Sequence, residues 1–216
     1  METNCYLETS DRDAICALMR KLYDYDPYTF EHCIHTALYT NVIVDFMNVA
    51  DKHETNKIVI AALLHDIGKL EIPIEIIHKP DKLTVEEKNL MNTHSIHGYE
   101  IVKNIGLSEY ISYAIRDHHE NTNGSGYPNG YTAEVLNMGA RIIHVSDVYD
   151  AMLRARPYKK AIPHAEVIDY IEKNATIMFD PNIECILNNV IEKYRARLIK
   201  PTNELLIYLI NEFMSA

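Results

Sequence analysis

Val59-Ile60-Ala61-Ala62-Leu63-Leu64-His65-Asp66-Ile67-Gly68-Lys69 is the stretch on which the rest of the chain is organised. The apolar run from Val59 to Leu64, preceded by Thr55 as a candidate N-cap, predicts a buried helix. Its last turn delivers an imidazole and a carboxylate side by side, and Gly68 then lets the chain leave the helix. Neutral imidazole and carboxylate are both ligands for a first-row divalent metal. A single His-Asp pair is more often a surface or capping pair. Other histidines and carboxylates further along the chain give this one its weight.

Working outward, the pattern is helical throughout. Residues 10–24 predict a first helix with Ser10 as cap and Asp11 and Asp13 in its first turn, broken by Tyr25-Asp26-Pro27. Thr29 caps a longer helix to about Ala50, with Ile34, Leu38, Val42 and Phe46 along one face. After an irregular crossing marked by Ile72-Pro73 and Lys79-Pro80, Thr84-Val85-Glu86-Glu87 has the form of a capping box. Further helices are expected around 95–104, from Ser108 to His118-His119-Glu120, over 134–153, and near 164–173, 182–197 and 202–214. Asn121 to Gly130 is the one stretch dense in turn formers. No run shows strand alternation, so the expected class is all-α.

Length and composition set the remaining bounds. The 216 residues, 47% hydrophobic and 24% charged, suit one large domain or one domain with a small extension. A net charge of −10 argues against a nucleic-acid partner, which calls for a basic stripe, but not against a small phosphorylated ligand whose charge a metal can meet. No stretch approaches the roughly 18 apolar residues of a membrane span, and the polar start of the chain is no secretory signal. Cys5, Cys16, Cys33 and Cys185 form no CxxC pair and read as reduced thiols of a cytoplasmic protein.

Histidine is in excess, with eleven residues. His32, His65, Asp66, His94, His118, His119 and Asp147 fall on or beside five expected helices, as side chains of a helical bundle do when they converge on a metal site. Five imidazoles and two carboxylates exceed the needs of one ion and suit two, with Asp66 as a natural bridge. The donor set, without thiolate, favours iron or manganese; zinc, nickel, cobalt and magnesium remain open. His35, one turn after His32 and four residues after Glu31, offers a competing registration of this helix. His53, His78, His144 and His164 read as ordinary histidines, and His97 as part of a polar face. Glu120 reads as an acceptor for an imidazole N–H.

In this order, His65-Asp66-Ile67-Gly68-Lys69, His118-His119-Glu120, Gly124-Ser125-Gly126-Tyr127-Pro128, Arg156-Pro157-Tyr158 and Phe179-Asp180-Pro181 resemble the HD-GYP subgroup of HD-domain phosphohydrolases. Tyr28-Thr29 with His32 matches a frequent entry to that subgroup's first metal helix, and the resemblance covers about residues 25–185. It implies an HD-domain helical bundle with an HD-GYP C-terminal extension. It also implies a centre of two or three metals that hydrolyses cyclic di-GMP to pGpG, with GMP as a further product. The expected division is an N-terminal helical extension over 1–24 and the HD-GYP domain over 25–216. Carried over by position, the seven residues above are the metal ligands, and Asp66 and Lys69 are catalytic. Lys69, Arg156 and Lys159 hold the substrate phosphates, and Gly126-Tyr127-Pro128 is the signature loop beside them.

The departures bear on detail. Asn123 and Ala155 stand where the subgroup often has aspartate, and His35 where it usually has arginine. Tyr28 stands where three-metal members carry a glutamate, and a neutral phenol with a pKa near 10 is a poor ligand, so two ions are expected. About 24 residues precede the domain, too few for the sensor modules the subgroup often carries. The partner expected is a small cyclic dinucleotide, with no nucleic acid and no membrane; a homodimer is compatible with everything above. A cyclic-dinucleotide receptor with vestigial activity, or a hydrolase of another nucleotide, are the alternatives.

Overall fold

The computed structural model describes residues 9–47, 51–154, 161–195 and 204–213, and these are helical apart from turns and two isolated β-bridges. The order is α1 (Thr9–Tyr25), α2 (Pro27–Met47), α3 (Lys52–Leu64), a 3₁₀ turn (Ile67–Glu71) and the short α4 (Ile74–Ile77). Then come α5 (Val85–Asn92), α6 (His94–Asn104), α7 (Glu109–Asp117), α8 (Met138–Leu153), α9 (His164–Lys173), α10 (Pro181–Arg195) and α11 (Glu204–Phe213). No described helix is long and apolar enough to cross a membrane.

Several ends follow from local chemistry. Thr84 and Glu87 complete the capping box of α5, and the Ser108 hydroxyl accepts from the N–H of Ile111 at the start of α7. Others differ from expectation. Helix α3 begins one turn earlier than Thr55 suggests, because the Asp51 carboxylate caps it by accepting from the Glu54 N–H. Ser10 lies inside α1. Helix α2 starts at Pro27, whose fixed φ suits a first helical position, and Asp26 accepts from the Tyr28 N–H at 3.1 Å. Thr29 is therefore inside α2 and donates to Asp26 instead of capping. Helix α8 begins only at Met138, capped by Asn137, because residues 131–136 are turns.

Two apolar clusters hold the bundle, and α2, α3 and α8 belong to both. One joins Ile15, Met19 and Leu22 of α1 to Phe30 and Ile34 of α2, Leu63 and Leu64 of α3, and Ile111 and Ile115 of α7. The other joins Ile43, Ile58, Ile142, Val145, Tyr149, Phe179 and Leu187. Residues 58–64 are all buried, so the second half of α3 is central to the bundle and apolar on every side. Each fully buried Leu or Ile here contributes about 1.5–3 kcal/mol. The consequence for the site is that the end of α3 is fixed in the interior, surrounded by α2, α6, α7 and α8.

Candidate metal centre

At that end the chain changes from α-helix to 3₁₀ turn, with His65 and Asp66 at the junction. Gly68 does not take a left-handed conformation there. It is glycine because the 3₁₀ turn lies against α6: a Cβ would stand 1.9 Å from the His94 carbonyl oxygen and 2.4 Å from the Gly98 nitrogen. This close approach brings His94 to Asp66.

Four imidazoles are oriented in the same way. His65 Nδ1–H donates to the Ala62 carbonyl (2.8 Å), His94 Nδ1–H to Met91 (2.7 Å) and His118 Nδ1–H to Ile115 (2.6 Å). His32 Nδ1–H donates to the Asp150 carboxylate at 2.7 Å. Each bond fixes the ring and leaves Nε2 aimed inward, the usual arrangement around a ligating histidine. His119 enters between them, its Nε2 3.2 Å from His94 Nε2 and its Nδ1 3.8 Å from Asp147 Oδ2.

The inward atoms form two groups. In His94, His118 and His119, and again in His32, His65 and Asp147, one donor atom per residue lies within 4.8 Å of the others. Asp66 lies between the groups: Oδ1 is 3.3 Å from His94 Nε2, and Oδ2 is 3.5 Å from His65 Nε2 and 3.8 Å from His32 Nε2. Asp147 also reaches both, with Oδ1 2.8 Å from His32 Nε2. All seven candidate ligands are thus brought together, and His32 rather than His35 points into the cluster. His35 is at the edge, 3.3 Å from Asp150 and one-third exposed.

The electrostatics fit a cation. Burial, with neighbouring imidazoles adding to it, holds His118 and His119 well below the usual histidine pKa. Burial lowers His65 and takes His94 down to about 4, so these rings offer lone pairs near neutral pH. His32 is the exception: burial pushes it down, but its bonds to Asp147 and Asp150 outweigh this and carry it up to about 9. Burial alone would raise the carboxyl of Asp66, but Lys69 and then His65, His94 and His32 hold it well below the carboxylate range. His65 Nε2 is buried with no hydrogen-bond partner. Converging lone pairs, two ionised carboxylates and a buried unsatisfied nitrogen are what a divalent cation would satisfy.

Above the cluster lies a cavity of about 730 Å³ lined by His32, Asp66, His94, His119, Asp147, Lys69 and Tyr127, and by the segment Ile76 to Leu83. Lys69 Nζ is 2.6 Å from Asp66 Oδ2 while facing this space. Tyr127 stacks on His119, its ring centroid 4.8 Å away. Gly126 is held close: a Cβ would meet the Asn121 nitrogen at 2.3 Å and the His119 carbonyl at 2.4 Å. Glu120 accepts from the backbone N–H groups of Asn129, Gly130 and Tyr131, so it supports the Gly126-Tyr127-Pro128 loop rather than an imidazole. Phe179 packs on His144, and Asp180 pairs with Arg141 at 2.6 Å, so the Phe179-Asp180-Pro181 motif braces α8 from behind. Arg156, Lys159, Pro157 and Tyr158 lie outside the described residues.

Sequence reasoning missed three neighbours. Asp150 orients His32, and its spacing of three from Asp147 on one helix was the available signal. Cys33 is fully buried with its sulfur within 4.8 Å of donor atoms of His65 and Asp66; burial raises its thiol pKa, which keeps it protonated. His144 donates from Nδ1 to the His118 carbonyl at 2.7 Å and lies behind the centre.

A helical bundle with paired histidine clusters joined by an aspartate of an HD pair is the hallmark of one class of protein. The family model described as HD domain matches residues 19–183, and the chain belongs to the HD-domain family. Its relatives include the "Cyclic di-GMP phosphodiesterase response regulator RpfG" of Xanthomonas campestris, 34% identical over 81% of this chain and 47% of that protein. The "3'3'-cGAMP-specific phosphodiesterase 3" of Vibrio cholerae is 33% identical over 74% of this chain and 34% of that protein. The chain therefore spans less than half the length of either relative. Among solved structures, the HD domain of the L. monocytogenes phosphodiesterase PgpH in complex with cyclic-di-AMP shares the fold. Its TM-score is 0.63 at 18% identity, covering 93% of this chain and 98% of that one.

Proposed function

We propose that the chain is a metal-dependent phosphodiesterase of the HD-GYP type that opens cyclic di-GMP to linear pGpG, with GMP as the product of a second cut. The catalytic unit is residues 25–216, with α1 as an extension packed on it. The observation that carries this reading is the pair of donor groups joined through Asp66 at the floor of a cavity of about 730 Å³. The names of the relatives support the substrate class.

One ion would be held by His94, His118 and His119 and the other by His32, His65 and Asp147, with Asp66 shared. Two divalent ions, iron or manganese before zinc, nickel, cobalt or magnesium, supply an activated water and neutralise charge on the phosphoryl oxygens. The rest falls to this chain's own groups. Lys69 faces the cavity from beside Asp66 and meets a phosphate oxygen. Arg156 and Lys159, carried over from the resemblance by sequence position, hold the phosphates. Tyr127 keeps the His119 ring in place and closes one side of the cavity against water. Tyr28 lines the cavity where three-metal members carry a glutamate, so the reading is of two ions and not three. The protein is taken as cytoplasmic, acting on a small molecule, with no nucleic-acid partner.

The test is anaerobic metal analysis of the purified protein, followed by chromatography of cyclic di-GMP digests. Two ions per chain and linear product are expected. Binding without turnover in iron- or manganese-loaded protein would instead make the chain a receptor. Because relatives named for 3'3'-cGAMP and a neighbour bound to cyclic-di-AMP occur, both nucleotides belong in the assay. Faster cleavage of either would change the substrate but not the chemistry.

Lys69→Ala and Arg156→Ala proteins are expected to keep both ions and lose rate or affinity by about 100-fold, the scale of removing one electrostatic stabiliser. If Arg156 acts only on bound substrate, KM rises with kcat unchanged; if it acts in the transition state, kcat falls. Metal loss equal to that of the ligand variants would show that these residues were misassigned.

A further inference from the structure

Arg154 ends α8 one turn after Asp150, and its guanidinium touches three residues around His32. One arm, Nη2, pairs with the Glu31 carboxylate. The other, Nη1, is buried without a hydrogen bond, 3.9 Å from Asp150 Oδ2, the oxygen that holds His32 Nδ1. The guanidinium carbon lies over the Tyr28 ring, 5.1 Å from its centroid. Tyr28 and Glu31 belong to α2 and Asp150 to α8, and Tyr28 also lines the cavity.

The two helices bring the two ends of one donor group, since His32 comes from α2 and Asp147 from α8. We infer that Arg154 is a positioning residue that fastens α2 to α8 and so sets the His32–His65–Asp147 half of the centre, without touching the other half. Its planar fork can pair with Glu31 while stacking on Tyr28, which a lysine ammonium cannot do at once. The His94–His118–His119 half takes its three imidazoles from α6 and the residues following α7, and α8 reaches it only through Asp147 Oδ2, 3.8 Å from His119 Nδ1. The inference rests on the two-ion reading above, and it assigns Arg154 to one ion of the two.

The experiment is a chelator competition on manganese-loaded protein, read as ions per chain, with helicity followed in parallel. Arg154→Ala is expected to weaken one ion about tenfold or more, the scale of losing a group behind a ligand, and to leave the other at wild-type affinity. Arg154→Lys is expected to fall between. His118→Ala marks the other ion, so at a chelator level where each single variant retains one ion, the double variant retains none. A double variant that keeps one ion there, two ions of wild-type affinity in Arg154→Ala, or equal weakening of both would each overturn the inference. Glu31 is nearly half exposed, so Glu31→Gln serves should Arg154→Ala fail to fold. It is expected to weaken the same ion by a smaller factor, and no change in that ion would overturn the inference. If the wild-type protein itself binds fewer than two ions, it is the functional reading that fails.

Discussion

Alanine at Asp66, His65 or His119 is expected to abolish hydrolysis, with a fall of about 1,000-fold or more, and to lower bound metal while leaving helical content intact. Several kcal/mol of charge stabilisation depend on the ions, and each 1.36 kcal/mol is a factor of ten in rate. Asp66→Ala should be the most severe. Its two oxygens face both donor groups, at 3.3 Å from His94 and 3.5 Å from His65, so both ions lose a ligand. It also leaves the Lys69 ammonium without its carboxylate, which adds a positive charge where the cations bind. His65→Ala and His119→Ala each remove a donor from one group, and one ion is expected to remain. The fold survives because these side chains are polar and lie beside the apolar clusters rather than within them. Metal analysis, circular dichroism and product chromatography on the three variants check this. Unchanged turnover by metal-replete His65→Ala protein would end the metal-centre reading.

Gly68→Ala is expected to destabilise the protein by about 3 kcal/mol and also to lower metal affinity. The new methyl group would stand 1.9 Å from a backbone oxygen and 2.4 Å from a backbone nitrogen of α6, and no side-chain rotation relieves contacts with backbone. The 3₁₀ turn must therefore move away from α6. For a domain of this size each kcal/mol is about 2–4 °C in Tm, so a fall of about 10 °C is expected. The same movement separates Asp66 from His94, now 3.3 Å apart, which couples the stability loss to the metal loss. Thermal melts with and without excess manganese measure both. A Tm within 2 °C of wild type with full metal content would show that the turn and α6 can part without cost.

The sequence by itself determined whatever depends on near neighbours along the chain. The capping box at Thr84 and Glu87, the cap at Ser108 and the break at Tyr25-Asp26-Pro27 are read by rules that span only three or four residues. Adjacent pairs such as His65-Asp66 and His118-His119 likewise announce a cluster, because no fold can separate them. The all-helical class followed from the same local periodicity. At the start of α3 the local rules pointed to Thr55, whereas the Asp51 carboxylate caps the helix one turn earlier, since a start there satisfies the same rules.

Only the tertiary structure decided which residues meet across long separations. His32 meets Asp147 and Asp150 across more than a hundred residues because α2 and α8 pack through the same two apolar clusters. The same packing turns the His32 ring inward and the His35 ring to the rim, an arrangement in line with the registration that the resemblance favoured. The roles of Gly68, Glu120 and Arg154 were illegible for the same reason. A glycine looks alike in the sequence whether it supplies a turn or a close approach. A charged side chain's partner is fixed by which helices the burial of apolar surface brings together, and that choice is made by the whole core at once.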